Sequence, residues 1–156
     1  MDKIDALNQV AAFHKTFKHP ILDNPSIPDK KRCDLRVSLI AEELKEFKEA
    51  IEDNDLVEIA DALCDIQYVL SGAVLEFGMG EKFVELFNEV QRSNMSKACD
   101  TEEEAQKTVD HYQNQRDTPC YYKAEDGKYL VFRKSDNKTL KSINYSPADL
   151  KTILNK

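Results

Sequence analysis

An all-α fold is predicted for this chain: an antiparallel bundle of four to five helices with a small C-terminal β-hairpin appended. Three observations predict it. Apolar residues recur at helical spacing through about residue 98, Pro and Gly fall between those stretches, and the pattern changes after Pro119 to aromatic and β-branched residues around an Asp-Gly turn. With 156 residues, 41% hydrophobic and 33% charged, the chain suits one compact domain. Residues 1–118 are expected to form the bundle, and 119–156 the hairpin and a short last helix within the same domain.

In residues 2–17, Ile4, Leu7, Val10, Ala11 and Phe17 share one helical side with Phe13 beside it, and His19-Pro20 ends that helix. Pro20, Pro25 and Pro28 keep residues 19–30 in a loop, because proline removes a backbone donor and blocks the preceding turn. From Lys31 to Asp53, a stripe of Ile40, Leu44, Phe47 and Ile51 predicts a second helix of about six turns. Asp53-Asn54-Asp55 supplies turn and capping chemistry for a third helix, Leu56 to Phe77, that stops at Gly78. So short a loop makes these two helices antiparallel neighbours. A fourth helix covers 81–98 with Phe83, Val84, Leu86, Phe87 and Val90 as its apolar side, and Thr101-Glu102-Glu103-Glu104 opens a fifth, charged helix to about Gln115, expected to be exposed on most sides. Tyr121, Tyr122 and the run Tyr129 to Phe132 flank the Asp126-Gly127 turn, and Pro147 precedes a last helix with Leu150, Ile153 and Leu154 on one face.

A net charge of −7 and the absence of a Lys/Arg run argue against nucleic-acid binding, since phosphate contacts need a basic surface. No stretch reads as a signal peptide or a membrane span, so a cytoplasmic protein is expected. The four cysteines, Cys33, Cys64, Cys99 and Cys120, form no C-x-x-C pair and are read as reduced structural thiols.

The acids carry the functional reading. Glu43 and Glu46 flank the apolar stripe of the second helix, whereas Glu42 and Glu49 point further round. Glu58, Asp61 and Asp65 recur at i, i+3, i+7 within an otherwise apolar third helix, which places them against protein. Antiparallel packing is expected to set Glu43 and Glu46 opposite Glu58 and Asp61 as a four-carboxylate cluster. Ionised carboxylates in such a setting need a compensating cation, and all-oxygen ligation selects a hard one, Mg²⁺ first and Mn²⁺ second. Mg²⁺ held by side chains keeps positions open for phosphates, so the chemistry suggested is phosphate-ester or anhydride cleavage. Glu-Glu-Leu-Lys-Glu alone would be an ordinary solvated face; the apolar setting of the second group of acids sets this pair of helices apart.

The pattern E-E-x-x-E followed by E-x-x-D across two antiparallel helices resembles the signature of the all-α nucleoside triphosphate pyrophosphohydrolases, which include MazG, dimeric dUTPases and phosphoribosyl-ATP pyrophosphohydrolases. The segments Ser93 to Lys97 and Lys141 to Pro147 are similar to those of bacterial and phage proteins labelled phosphoribosyl-ATP pyrophosphohydrolase-like, with Ser142-Ile143 where the tail commonly has Gly-Pro and 101–118 as an insertion. The resemblance implies that Glu43, Glu46, Glu58 and Asp61 ligate Mg²⁺, that Glu42 or Glu46 is the general base, and that Asn94, Lys97, Lys141 and Tyr145 bind substrate. It implies hydrolysis of a nucleoside triphosphate, deoxy or non-standard, to the monophosphate and pyrophosphate by a homodimer or homotetramer. Two alternatives stay open: phosphoribosyl-ATP hydrolysis in histidine synthesis, and a non-catalytic, metal-stabilised oligomerisation module.

Overall fold

The protein, seen in a computed structural model that describes residues 4–156, is mostly helical with one two-stranded antiparallel sheet. It resolves into two compact units that meet in sequence at Phe83 and Val84.

The first unit holds α1 (Ala6–Phe17), α2 (Lys30–Glu52) and α3 (Leu56–Glu76). The expected start of α1 at residue 2 lies outside the described residues; its end is set by Lys18 in the left-handed region, whose amide returns to the carbonyl of His14. Asp29 caps α2 by accepting from the Arg32 amide, and Asp55 caps α3 by accepting from those of Val57 and Glu58. Between the two helices Asn54 takes φ 55°, a conformation Asn tolerates. Helix α3 ends at Gly78, where φ is +68° and a Cβ would stand 1.9 Å from the Asn24 carbonyl oxygen, so no other residue fits. The proline-rich loop is tied there too, since Leu22 and Ser26 donate to the carbonyls of Leu75 and Phe77.

Helix α2 lies antiparallel to α3: Arg32 and Arg36 at its start reach Glu76 at the other helix's end. The contact face differs from the predicted stripe. Leu44 and Ile51 are 58% and 52% exposed, whereas Arg36 and Ala50 are buried and Leu39, Ile40, Glu43 and Phe47 half-buried. The packed face is therefore rotated by about one position, because the Arg36–Glu76 pair sets the rotation as well as the aliphatic residues do. Burial in α3 concentrates at its C-terminal end, around Ser71, Val74, Leu75 and Glu76; Leu56 and Val57 at the other end are exposed.

The second unit holds most of α4 (Phe83–Met95), α5 (Glu102–Arg116), β1 (Cys120–Glu125), β2 (Lys128–Arg133) and α6 (Leu150–Leu154). Its core is Cys99, Ala105, Val109, Cys120, Val131 and Leu140, packed by Tyr112, Tyr122 and Tyr129. Helix α5 is exposed on most sides, as expected, and buries one face, Ala105, Thr108 and Val109, against the hairpin. The face is narrow and made of small residues, which is why so charged a segment conceals it. Asp126 and Gly127 both have positive φ, 48° and 76°, the signature of a type I′ turn, and the strands pair from Cys120 with Arg133 to Glu125 with Lys128. Both outer contacts fall on the free edge of β2: Cys99 and Tyr129 exchange amide hydrogen bonds there, and the Leu140 amide donates to the Val131 carbonyl. All four cysteines are free thiols.

Candidate functional site

Along the first unit, α1, α2 and α3 enclose a cavity of about 440 Å³. Its walls are graded. Phe13, His19 and Tyr68 make an aromatic side, Leu35, Leu39 and Val69 an aliphatic floor, and Glu43 and Asp65 supply carboxylates. Phe13 and His19 stack with centroids 5.8 Å apart, and Tyr68 meets Phe13 edge-on at 5.6 Å.

Below the cavity runs a polar core. Glu76, only 1% exposed, accepts from Arg36 and from both Nε and a terminal nitrogen of Arg32. Burial pushes the Glu76 carboxyl up, but the hydrogen bonds and charges of Arg36 and Arg32 prevail and hold it below its usual range. His14 is buried beside this pair, with Nδ1 2.9 Å from the Pro20 carbonyl oxygen. A carbonyl only accepts, so Nδ1 carries the proton and Nε2 of the neutral ring is an acceptor. Burial, aided by Arg36 and His19, keeps this imidazole below its ordinary pKa. Gly72 lets both side chains in: a Cβ there would lie 2.6 Å from Arg36 Nη1 and 3.1 Å from His14 Nε2.

The expected acids are spread as a ladder. Counted from Asn54 in the turn, Glu43 and Asp65 each stand eleven positions away, Glu46 eight, Asp61 seven and Glu58 four. Glu43 and Asp65 are thus level, Glu46 and Asp61 are level about one turn nearer the loop, and Glu58 falls beside Ala50. Glu43 carries the electrostatic consequence. Burial first, then repulsion from Asp65, Glu46, Glu42 and Asp61, pushes its carboxyl above the ordinary range. Asp65, in the acidic stripe of α3 but not among the four expected ligands, is the leading charge on Glu43 and shares its cavity. Glu42, Glu46, Glu58 and Asp61 are exposed. Among the described residues, no three of His, Cys, Asp and Glu stand close enough to hold one ion as they are placed. The donor chemistry nevertheless fits a hard divalent cation: carboxylates only, mutually repelling, with the most perturbed one half-buried at a cavity wall.

The four other predicted residues belong to the second unit. Lys97 donates to Asn94 Oδ1 at 2.8 Å, and its carbonyl accepts from the Ser142 amide. The Lys141 ammonium lies 4.2 Å from the Tyr145 ring centroid, and the Tyr145 hydroxyl is 2.9 Å from Ser93 Oγ. That hydrogen bond, with the charges of Lys141 and Lys97 and against a smaller effect of burial, holds the phenol below its usual range.

Residues 10–94, from α1 through most of α4, match the family model of phosphoribosyl-ATP pyrophosphohydrolase. The chain belongs to this family. Its membership also places it in the MazG-like all-α nucleoside triphosphate pyrophosphohydrolase superfamily, whose chemistry is cleavage of phosphoric anhydrides. It is similar, too, to an uncharacterised protein of Acanthamoeba polyphaga mimivirus, 34% identical over 86 residues, which are 53% of this chain and 32% of that one. The chain thus spans about a third of the length of that viral relative. Among the described residues no helix is long and apolar enough to cross a membrane.

Sequence reasoning missed the cavity's aromatic side and the polar core. The traces were there: two of the three histidines, His14 and His19, bracket the end of α1, and Glu76 is a lone acid at the apolar end of α3. Neither signal says what the residue meets, because each partner comes from another helix.

Proposed function

We propose that this protein hydrolyses a nucleoside triphosphate, deoxy or non-standard, to the monophosphate and pyrophosphate in the presence of Mg²⁺. The observation that carries this reading is Glu43, half-buried at the wall of an aromatic cavity, its carboxyl raised by burial first and then by four neighbouring carboxylates. Phe13, His19 and Tyr68 offer π-faces for a base, and Arg36 and His14 line the same cavity with polar atoms. Glu43, Glu46, Glu58 and Asp61 would hold Mg²⁺, with Asp65 beside them; when bound, the ion supplies charge neutralisation for the phosphates. Glu46 or Glu42, both open to solvent, would orient the attacking water and take its proton.

The family model favours a second reading equally well, hydrolysis of phosphoribosyl-ATP in histidine synthesis. A panel of deoxynucleotides, non-standard nucleotides and phosphoribosyl-ATP, assayed with Mg²⁺, separates the two. Pyrophosphate release, abolished in Glu58→Gln, is expected; orthophosphate as the product would sink the proposal. Intact metal-dependent stability without hydrolysis of any substrate would instead favour an oligomerisation module.

We also infer that the working form is a homodimer or homotetramer in the cytoplasm. Leu44, Ile51, Leu56, Val57 and Leu63 on α2 and α3 are all exposed in a single chain, a group of large apolar side chains that a second copy would cover. Light scattering on the purified chain should show more than one copy, and a monomer at micromolar concentration would refute this.

A further inference from the structure

The second unit contains a cavity of about 360 Å³ between the end of α5 and the 141–145 segment, within the size range of small-ligand sites. Its lining is unlike the rest of the chain. It includes Arg116, Lys141 and His111 and not one acid, although Asp and Glu number 29 against 22 Lys and Arg overall.

Within this unit Arg92, Lys107, Lys128, Arg133 and Lys156 each pair with a carboxylate. Among the described residues neither Arg116 nor Lys141 has a carboxylate partner, a condition they share with Lys97, Lys123, Lys134, Lys138 and Lys151 of the unit; what distinguishes them is that they converge on one cavity, where the Lys141 ammonium rests over the Tyr145 ring. Neutral donors complete the lining. Tyr112 accepts the Lys141 amide at 3.3 Å through its hydroxyl oxygen, so its own O–H remains to be donated. His111 meets Tyr112 edge-on at 5.5 Å and brings a second ring to the same wall.

We propose that this cavity is an anion site that takes the phosphate groups of a small phosphorylated ligand, with Arg116 and Lys141 supplying charge and Tyr112 a hydroxyl donor. Two cations and a hydroxyl donor around a cavity without acids match the charge and the acceptor-only surface of a polyphosphate, and Arg presents a fork suited to two of its oxygens. Lys141 and Tyr145 are also the residues that the resemblance gives to substrate, so the proposal touches the hydrolase reading; because the site needs neither the carboxylate ladder nor a divalent ion, pyrophosphate binding in EDTA tests it separately from hydrolysis.

The test is titration calorimetry of the full-length protein with inorganic pyrophosphate in EDTA, alongside orthophosphate, a nucleoside diphosphate and a single-stranded oligonucleotide. Pyrophosphate should bind in the absence of metal. Arg116→Gln and Lys141→Gln should each weaken it about tenfold or more, the scale of losing a hydrogen bond to a charged group. Lys134→Gln, which changes net charge equally but lies outside the cavity lining, and Glu58→Gln should leave it unchanged. A tighter nucleoside diphosphate would show the aromatic wall contributing. No binding of pyrophosphate at millimolar concentration, an equal loss in Lys134→Gln, or binding of the oligonucleotide alone would overturn the proposal. Because Arg116 is exposed, its replacement leaves the core intact, and circular dichroism of each variant checks this.

Discussion

Replacing Glu76 with Gln keeps shape and volume but removes the negative charge to which both the Arg32 and the Arg36 guanidinium groups donate. The consequence depends on where each can go. The Arg32 side chain is 25% exposed and can swing to water, whereas that of Arg36 is 8% exposed, with Nε already lacking a partner, so its charge would stay buried without compensation. Breaking a buried pair from one side costs about 3–5 kcal/mol, against a total stability of about 5–15 kcal/mol for a domain. For a unit of this size each 1 kcal/mol moves the melting temperature by roughly 4–8 °C, so Glu76→Gln should unfold far below the parent. Urea melts followed by circular dichroism measure it as a lower midpoint at unchanged slope. In an Arg36→Met background the same substitution should cost at least about 1 kcal/mol less, since the stranded charge is gone. A loss below about 1 kcal/mol in the parent, or an equal loss in both backgrounds, would refute the view that this pair sets the helix register.

Further outcomes follow from the same geometry. Asp65→Asn removes the leading repulsion on Glu43, so it should raise metal-free stability by about 0.3–1 kcal/mol while weakening Mg²⁺ binding; a stability loss would contradict this. The Glu43 carboxyl is raised on folding and holds its proton to higher pH than an ordinary carboxylate, so Mg²⁺ must displace that proton as pH falls. Thermal stabilisation by Mg²⁺ should therefore fade on acidification before ordinary carboxylates titrate, and a pH-independent shift between pH 7 and 4 would exclude Glu43 as a ligand. Glu76 has the opposite sign: its pKa is lowered by folding, so its contribution is present above the ordinary 4.5 and lost as pH drops through the folded value, which acid denaturation of Glu76→Gln against the parent would reveal. Gly72→Ala should destabilise by about 1–3 kcal/mol, because its Cβ would sit 2.6 Å from an Arg36 nitrogen held by Glu76; thermal melts give the value.

The sequence by itself determined the elements and the chemistry on offer. Helical periodicity, the proline loop, the Asp55 and Thr101 caps, Gly78 and the Asp126-Gly127 turn are local, and each depends on residues within one or two turns, so the chain declares them. The carboxylates at i, i+3 and i, i+4 spacing are local too, and with the resemblance they pointed to the family. Only the tertiary structure decided which residues meet. The rotation of α2 on α3 is set by Arg36 and Glu76, forty positions apart in the chain, and it turned Glu43 into the cavity and left Leu44 and Ile51 exposed, whereas the levels of the acids follow from the length of the turn. The narrow buried face of α5 and the cationic cavity at its end arise in the same way, from a hairpin and a loop that fold back over the helix. Spacing along one helix fixes faces and distances within that helix, whereas register between helices follows from a few long-range pairs that periodicity does not encode.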